Sequence, residues 1–193
     1  MPPTDIFDLK DISSVVREVT RQSGPVSLEN FKVYPFAVPE DFERVELEFS
    51  PKDYREKIKR DIKPFVDYAC FHGIPENIYT ALYEAVLNAF EHGNGKDPHK
   101  KVTLAYKISN EGAEFAVIDE GGLLDPEFMP FVLMHRAYPE GQHNFYEFSK
   151  RDKPENNNGT GTLFMHLYAD LVSYYKSENG GLVVLLRKNA KEE

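Results

Sequence analysis

Between Pro75 and His92 the chain repeats apolar residues at helical spacing, with Ile78, Leu82, Ala85, Val86 and Ala89 on one face. A stripe of that width has to be buried, so this helix must lie on another apolar surface. Segments that alternate instead of cycling can supply it. Val45, Leu47 and Phe49 interleave with Glu46, Glu48 and Ser50 at the period of a half-buried strand. Val102 to Ile108 and Ala113 to Asp119 flank the turn Asn110-Glu111-Gly112, and Leu171 to Tyr175 faces Leu182 to Arg187 across Asn179-Gly180-Gly181. Another helix is expected after Ser50-Pro51, an N-cap with proline at the first helical position. It runs through Tyr54, Ile58, Ile62, Phe65, Val66 and Ala69, is kinked or divided at Pro64, and is stopped by Gly73. A last helix spans about Gly161 to Asp170. Helices that precede and interrupt such strands argue for an α/β two-layer sandwich, a mixed, mostly antiparallel sheet with helices on one face.

Residues 1–43 differ from the rest. A short amphipathic helix is expected from Asp8 to Arg21, followed by a segment punctuated by Pro25, Pro35 and Pro39. This reads as an N-terminal extension, suited to a partner-binding arm, ahead of a domain over 44–193. The 193 residues, 41% of them hydrophobic, suffice for one substantial core. No run of eighteen apolar residues occurs, and the opening MPPTDIFDLKD is acidic and polar, so the expectation is a cytoplasmic protein without a membrane partner. Cys70 is the single cysteine, which excludes an intramolecular disulfide and disfavours a cysteine-based metal site. A net charge of -9 repels a phosphate backbone. The densest basic stretch, Lys52 to Lys63, also holds Asp53, Glu56 and Asp61, so no direct nucleic-acid partner is expected.

Three clusters carry chemistry. The first, Glu84 to Gly93, sets Glu84 and Asn88 one helical turn apart, away from the apolar seam. A carboxylate can take a proton or order a water, and an amide oxygen is a hard ligand of the kind Mg²⁺ prefers. The second, Asp119-Glu120-Gly121-Gly122, follows a buried strand; its acid can accept a hydrogen bond from an exocyclic amine while the glycines admit a flat ring. The third, Asn156 to Thr162 with Gly159, Thr160 and Gly161, precedes a helix, where convergent N–H groups attract phosphates. It lacks the lysine of a P-loop and does not follow a strand as a dinucleotide-binding turn does. Each cluster alone is equally a solvated helix face, a hairpin end or a loop.

In their order and spacing the three resemble the ATPase superfamily shared by gyrase, Hsp90, histidine kinases and MutL, and more closely its anti-sigma-factor serine kinase branch. The resemblance covers roughly residues 44–188, and Glu-x-x-x-Asn-Ala-x-x-His-Gly from Glu84 to Gly93 is its most specific motif. It implies ATP and Mg²⁺ as cofactors. By that resemblance Asn88 ligates Mg²⁺, Glu84 is the base or water-orienting carboxylate, and Asp119 receives the adenine amino group. Gly121 shapes the adenine pocket, while Gly159, Thr160, Gly161 and Thr162 line the phosphates. It also implies a lid over Gly121 to Gly159, a possible homodimer, and a protein partner of the antagonist or sigma-factor type. His92 is expected to pack or cap the helix end.

The sequence departs from the family pattern where Leu123 replaces a second spaced glycine, and in the length of the lid, which is rich in proline, glycine, asparagine and charge and is expected to be a long irregular segment. Phe131, Tyr138, Phe145, Tyr146 and Phe148 of that lid either cover nucleotide, contact a partner or form a local cluster. A protein serine/threonine kinase acting on a small antagonist is the leading expectation. The alternatives are a nucleotide-gated binding module without transfer and the catalytic domain of a histidine kinase.

Overall fold

The alternating segments align side by side in the computed structural model, which describes residues 26–27, 35–125, 127–137, 144–155 and 158–191. The strands are β1 (Val26–Ser27), β2 (Pro35–Phe36), β3 (Glu43–Leu47), β4 (Val102–Ile108), β5 (Gly112–Ile118), β6 (Leu123–Leu124), β7 (Leu171–Ser177) and β8 (Leu182–Asn189). Six of them form one sheet in the order β2-β7-β8-β5-β4-β3. All neighbours are antiparallel except the short edge strand β2, which runs parallel to β7. β1 and β6 pair separately. Two of the expected hairpins fall almost residue for residue where alternation put them, because both faces of β5 and β8 are buried and no other register hides their apolar rows.

The helices are α1 (Tyr54–Phe71), α2 (Ile78–Asn88), α3 (Phe128–Ala137), α4 (Phe145–Ser149) and α5 (Gly161–Tyr168). The α2 stripe is fully covered: Ile78, Leu82, Ala85 and Val86 share one cluster with Ile58, Ile62 and Val66 of α1 and with Leu104, Phe115, Val117, Tyr174 and Val184 of the sheet. Truncating one such leucine costs about 2–5 kcal/mol. The opposite sheet face is closed by Phe36 and Phe42, packed on Ala105, Ala116, Tyr175, Val183 and Leu185, with Phe36 stacked on Tyr175 at 5.1 Å. Thus β2, within the stretch set apart as an extension, lies on the sheet; the helix expected over Asp8–Arg21 falls outside the described residues.

Three local expectations need correction. α1 starts at Tyr54, because Ser50-Pro51 opens a turn in which the N–H groups of Asp53 and Tyr54 both donate to Ser50 O. Pro64 does not divide α1: it lies on the exposed side, so the Arg60 carbonyl it leaves without a helical donor can face water. Gly73 does stop the helix. Its φ of +82° lets Ile74 N–H reach Ala69 O and Gly73 N–H reach Cys70 O, the paired bonds of a left-handed helix end.

The third correction concerns the stretch between the glycine clusters, which holds two helices rather than irregular chain. Pro130 is the third residue of α3, where an N–H has no intrahelical acceptor to lose. Phe131 is fully buried against His135, Phe145 and Phe148. His135 in turn stacks on His166 of α5 at 5.4 Å, and His166 Nε2 lies 3.2 Å from the Tyr174 hydroxyl of β7. Tyr138 falls outside the described residues. Among the described residues no helix is long and apolar enough to cross a membrane.

Candidate functional site

α2 does not end as a plain helix. From Ala89 to Gly93 it widens into a π turn, which feeds Asn94 into the interior. Asn94 is 3% exposed and stitches three segments together. Its N–H donates to Ala89 O (2.7 Å), its Nδ2 to Lys101 O (2.9 Å), and its Oδ1 accepts the Glu120 N–H (2.8 Å). This fixes the end of α2 against the chain leaving β5, so the first two clusters of the sequence become neighbours. The π turn and Asn94 were not foreseen; the only signal was the unusual run His92-Gly93-Asn94-Gly95.

Beneath that junction sits Asp119, also 3% exposed. Its Oδ1 accepts the N–H groups of Gly121 (2.9 Å) and Leu182 (3.1 Å). Its Oδ2 lies against Gly93: a Cβ built there would stand 2.2 Å from it. Backbone closes around this acid except where it borders a cavity. A Cβ on Gly121 would meet Gly93 O at 1.6 Å, and one on Gly181 would meet Asp119 O at 1.7 Å. Burial raises the Asp119 carboxyl to about 6, against the pull of its backbone donors. Gly93 and Gly181 are essential to this packing; Gly93 was read only as the end of the Glu84 motif and Gly181 only as part of a turn, since their need for a bare Cα comes from a residue far away in the chain.

At the other end, Glu84 and Asn88 point from α2 toward the turn that opens α5. A Cβ on Gly161 would lie 2.6 Å from Glu84 Oε2 and 3.5 Å from Asn88 Nδ2, so the turn approaches both side chains closely. Desolvation raises the Glu84 carboxyl above the ordinary range, opposed by the charge of Arg55 and reinforced by that of Glu91. Gly159, at φ +68°, packs its Cα under Tyr146 and Asn144. Asn144 caps α4 by accepting the Tyr146 N–H (2.9 Å) and donates to Asn158 O, while Phe145 N–H reaches Gly159 O (2.8 Å). The lid helix and the glycine turn therefore move as one piece.

Between these ends lies a cavity of about 420 Å³, within the range that holds small ligands. Glu84, Asn88, Asp119, Gly159, Gly161 and Thr162 all line it. Of the remaining sequence candidates, Gly121 stands behind Gly93 and Thr160 is the residue preceding α5; neither is a wall residue. Leu124, Val184 and Phe128 make an apolar middle, and Phe145 and Tyr146 close one side, so part of the lid's aromatic set covers the cavity while Phe131 and Phe148 pack inside the lid. His92, expected to pack or cap the helix end, is exposed on the cavity wall. Among the described lining residues Glu84, Asp119 and Asp125 oppose one cation, Arg151, which is clasped by Asp125 at 2.5 Å and Glu127 at 3.1 Å.

The chain belongs to the histidine kinase-like ATPase domain family, whose model matches residues 66–188, from the middle of α1 to the end of β8. The matched span carries every residue of the cavity described above. No curated protein sequence matches the chain. The sheet of five successive antiparallel strands with helices on its inner face is the fold of such an ATP-binding domain.

Proposed function

We propose that the chain is a Mg-ATP-dependent regulatory kinase of the anti-sigma-factor type, which phosphorylates a serine or threonine of a small antagonist protein. The observation that carries this reading is the convergence of Glu84, Asn88 and the Gly159–Thr162 turn on one end of a cavity whose other end is the buried carboxylate of Asp119.

Asp119 Oδ2, with Oδ1 already occupied by two N–H groups, suits the exocyclic amine of adenine. The N–H groups at the start of α5 suit the phosphates. Among the described residues no three His, Cys, Asp or Glu side chains converge on a metal, which fits Mg²⁺, an ion held mostly by phosphates and water with one or two protein oxygens. Asn88 would supply that oxygen, and the ion's charge would offset that of the phosphates in a cavity otherwise rich in carboxylates. The acceptor oxygen attacks the γ-phosphorus as its bond to the β–γ bridging oxygen of ADP breaks, and the hydroxyl proton passes to Glu84. A carboxylate whose affinity for protons has been raised by desolvation suits that task. Catalysis here consists of positioning and charge compensation, which the fixed backbone provides.

The test is transfer of labelled phosphate from ATP to candidate antagonist proteins by wild-type chain and Glu84→Gln. Loss of transfer with retained nucleotide affinity is the expected result. Undiminished transfer by Glu84→Gln removes this carboxylate from the mechanism. Nucleotide-dependent partner binding without any phosphorylated product replaces the kinase with a nucleotide-gated binding module.

A further inference from the structure

A second cavity, of about 520 Å³, adjoins the first and shares His92 and Tyr146 with it. Its inner wall is the start of α1. There the Tyr54 hydroxyl and Arg55 Nη2 both donate to Glu91 Oε1, at 2.6 and 2.7 Å, and the Glu91 side chain is 5% exposed. The Tyr54 ring carries two cations: Arg55 Cζ lies 5.6 Å from its centroid and Lys96 Nζ 5.7 Å. Glu91 answers Arg55. No carboxylate among the described residues lies within ion-pair distance of Lys96, in a chain whose net charge is -9. Glu155 borders the same cavity but is not paired with it either.

The backbone at Lys96 is costly for such a residue. Gly95 and Lys96 are both left-handed, at φ +64° and +60°, and Lys96 N–H closes the π turn on Phe90 O at 2.9 Å. Glycine or asparagine fills a position of this kind with less strain. A lysine there places an ammonium over Tyr54, in a cavity that shares His92 and Tyr146 with the one Glu84 lines. Strained positions of this sort gather at functional sites.

From this geometry we infer that the second cavity is the docking subsite for an acidic segment of the protein partner, whose carboxylate pairs with Lys96 while the neighbouring serine or threonine reaches toward Glu84. The inference rests on the reading of the first cavity as a nucleotide site that serves a protein partner. A carboxylate between Lys96 and the two tyrosines gains an ion pair in a half-enclosed setting; Arg55 is already answered by Glu91, so Lys96 is the cation that sets the preference, against the single remaining acid, Glu155. The subsite therefore selects by charge as well as by shape.

The experiment uses two fluorescent peptides with a central serine, one flanked by aspartates and one by lysines, bound to the full chain in the presence of Mg²⁺ and a non-hydrolysable ATP analogue. Wild-type chain is expected to bind the aspartate peptide about tenfold more tightly than the lysine peptide. Lys96→Gly relieves the left-handed backbone and removes the charge; it should be as heat-stable as wild type, keep its Mg-ATP affinity and lose the preference. Lys96→Glu should invert it. Equal binding of the two peptides by wild type, or an unchanged preference in both variants, overturns the subsite. A Lys96→Gly chain that binds Mg-ATP about tenfold more weakly overturns it too, since the cation then serves the nucleotide. Phosphate transfer to the aspartate peptide is scored separately: charge-selective binding without transfer sustains the subsite and sinks the kinase reading.

Discussion

The two ends of the cleft are built from the same residue type to opposite effect. Around Asp119 the glycines press backbone on backbone: a methyl on Gly121 or Gly181 would land 1.6 or 1.7 Å from a carbonyl oxygen. Around Glu84 they press backbone on side chains: a methyl on Gly161 would stand 2.6 Å from Glu84 Oε2, and one on Gly159 2.6 Å from Tyr146 Cδ2. The first end is part of the fold, since nothing there can yield without moving a strand. The second is held by side chains and by a lid, and it can adjust as a ligand's phosphates arrive. On the reading proposed above, the end that takes the base is thus the rigid one and the end that takes the phosphates the adaptable one.

Breaking the rigid end should have the largest effect. Gly121→Ala or Gly181→Ala forces backbone apart at the junction of α2, β5 and β8 and is expected to cost about 4 kcal/mol or more, enough to abolish a cooperative thermal transition. The matching change at the adaptable end, Gly161→Ala, should leave that transition within a few degrees of wild type, about 1 kcal/mol, while abolishing ATP turnover. If both glycine pairs unfold the chain equally, the contrast fails.

Glu84→Gln comes next in size. It keeps the volume and the contact with Gly161, so stability and Mg-ATP affinity should hold while transfer or hydrolysis falls about 10²- to 10⁴-fold, read by single-turnover kinetics.

Asp119→Asn sharpens the comparison from the other side. The amide still accepts from Gly121 and Leu182, but its second position no longer accepts from adenine, so affinity for ATP should drop about 10- to 100-fold by calorimetry. Stability should move the opposite way. The folded carboxyl titrates at about 6 against an ordinary 3.8. The folded state therefore holds its proton more tightly than the unfolded one. Stability contributed by that proton is full below 3.8 and is lost as the pH rises through 6. At pH 7.5 wild type carries the penalty of a buried charge, of order 1–3 kcal/mol, and Asp119→Asn should melt at a higher temperature there but not at pH 4. ATP affinity in wild type should weaken below pH 6, as the acceptor becomes protonated.

The smallest effect belongs to the lid clasp. Arg151 is 44% exposed, so Arg151→Ala should change stability by under about 1 kcal/mol. It should nonetheless speed limited proteolysis between Asp125 and Gly159, and nucleotide should restore protection.

The same division governs what could be read in the sequence. Alternation and helical spacing located β4, β5, β7, β8 and the α2 stripe because each is a repeated pattern with one way to be buried. The adaptable end was legible as chemistry, since Glu84, Asn88 and the Gly159–Thr162 turn are local motifs, and its residues do converge on one cavity. The rigid end was legible at Asp119 and Gly121, and at Gly93 as a motif residue without its packing role. Gly93, Asn94 and Gly181 act through contacts between distant segments, and no local pattern reports those. The lid was misread because Gly121 to Gly159 as a whole is rich in proline, glycine, asparagine and charge, which hid the short apolar run around Pro130. The spacing of Phe128, Phe131, Val132 and His135 fits a helix face, and proline in a first turn is no obstacle to one.

The central claim is that this cavity takes an adenine nucleotide with its base on Asp119. Titration calorimetry of the wild-type chain with Mg-ATP and Mg-GTP tests it directly. The account expects one saturable site per chain for Mg-ATP, at least about tenfold weaker binding of Mg-GTP, whose ring presents a carbonyl where adenine presents an amine, and loss of that preference in Asp119→Asn. Binding of both nucleotides with equal affinity, or no saturable binding of Mg-ATP to a folded chain, contradicts it.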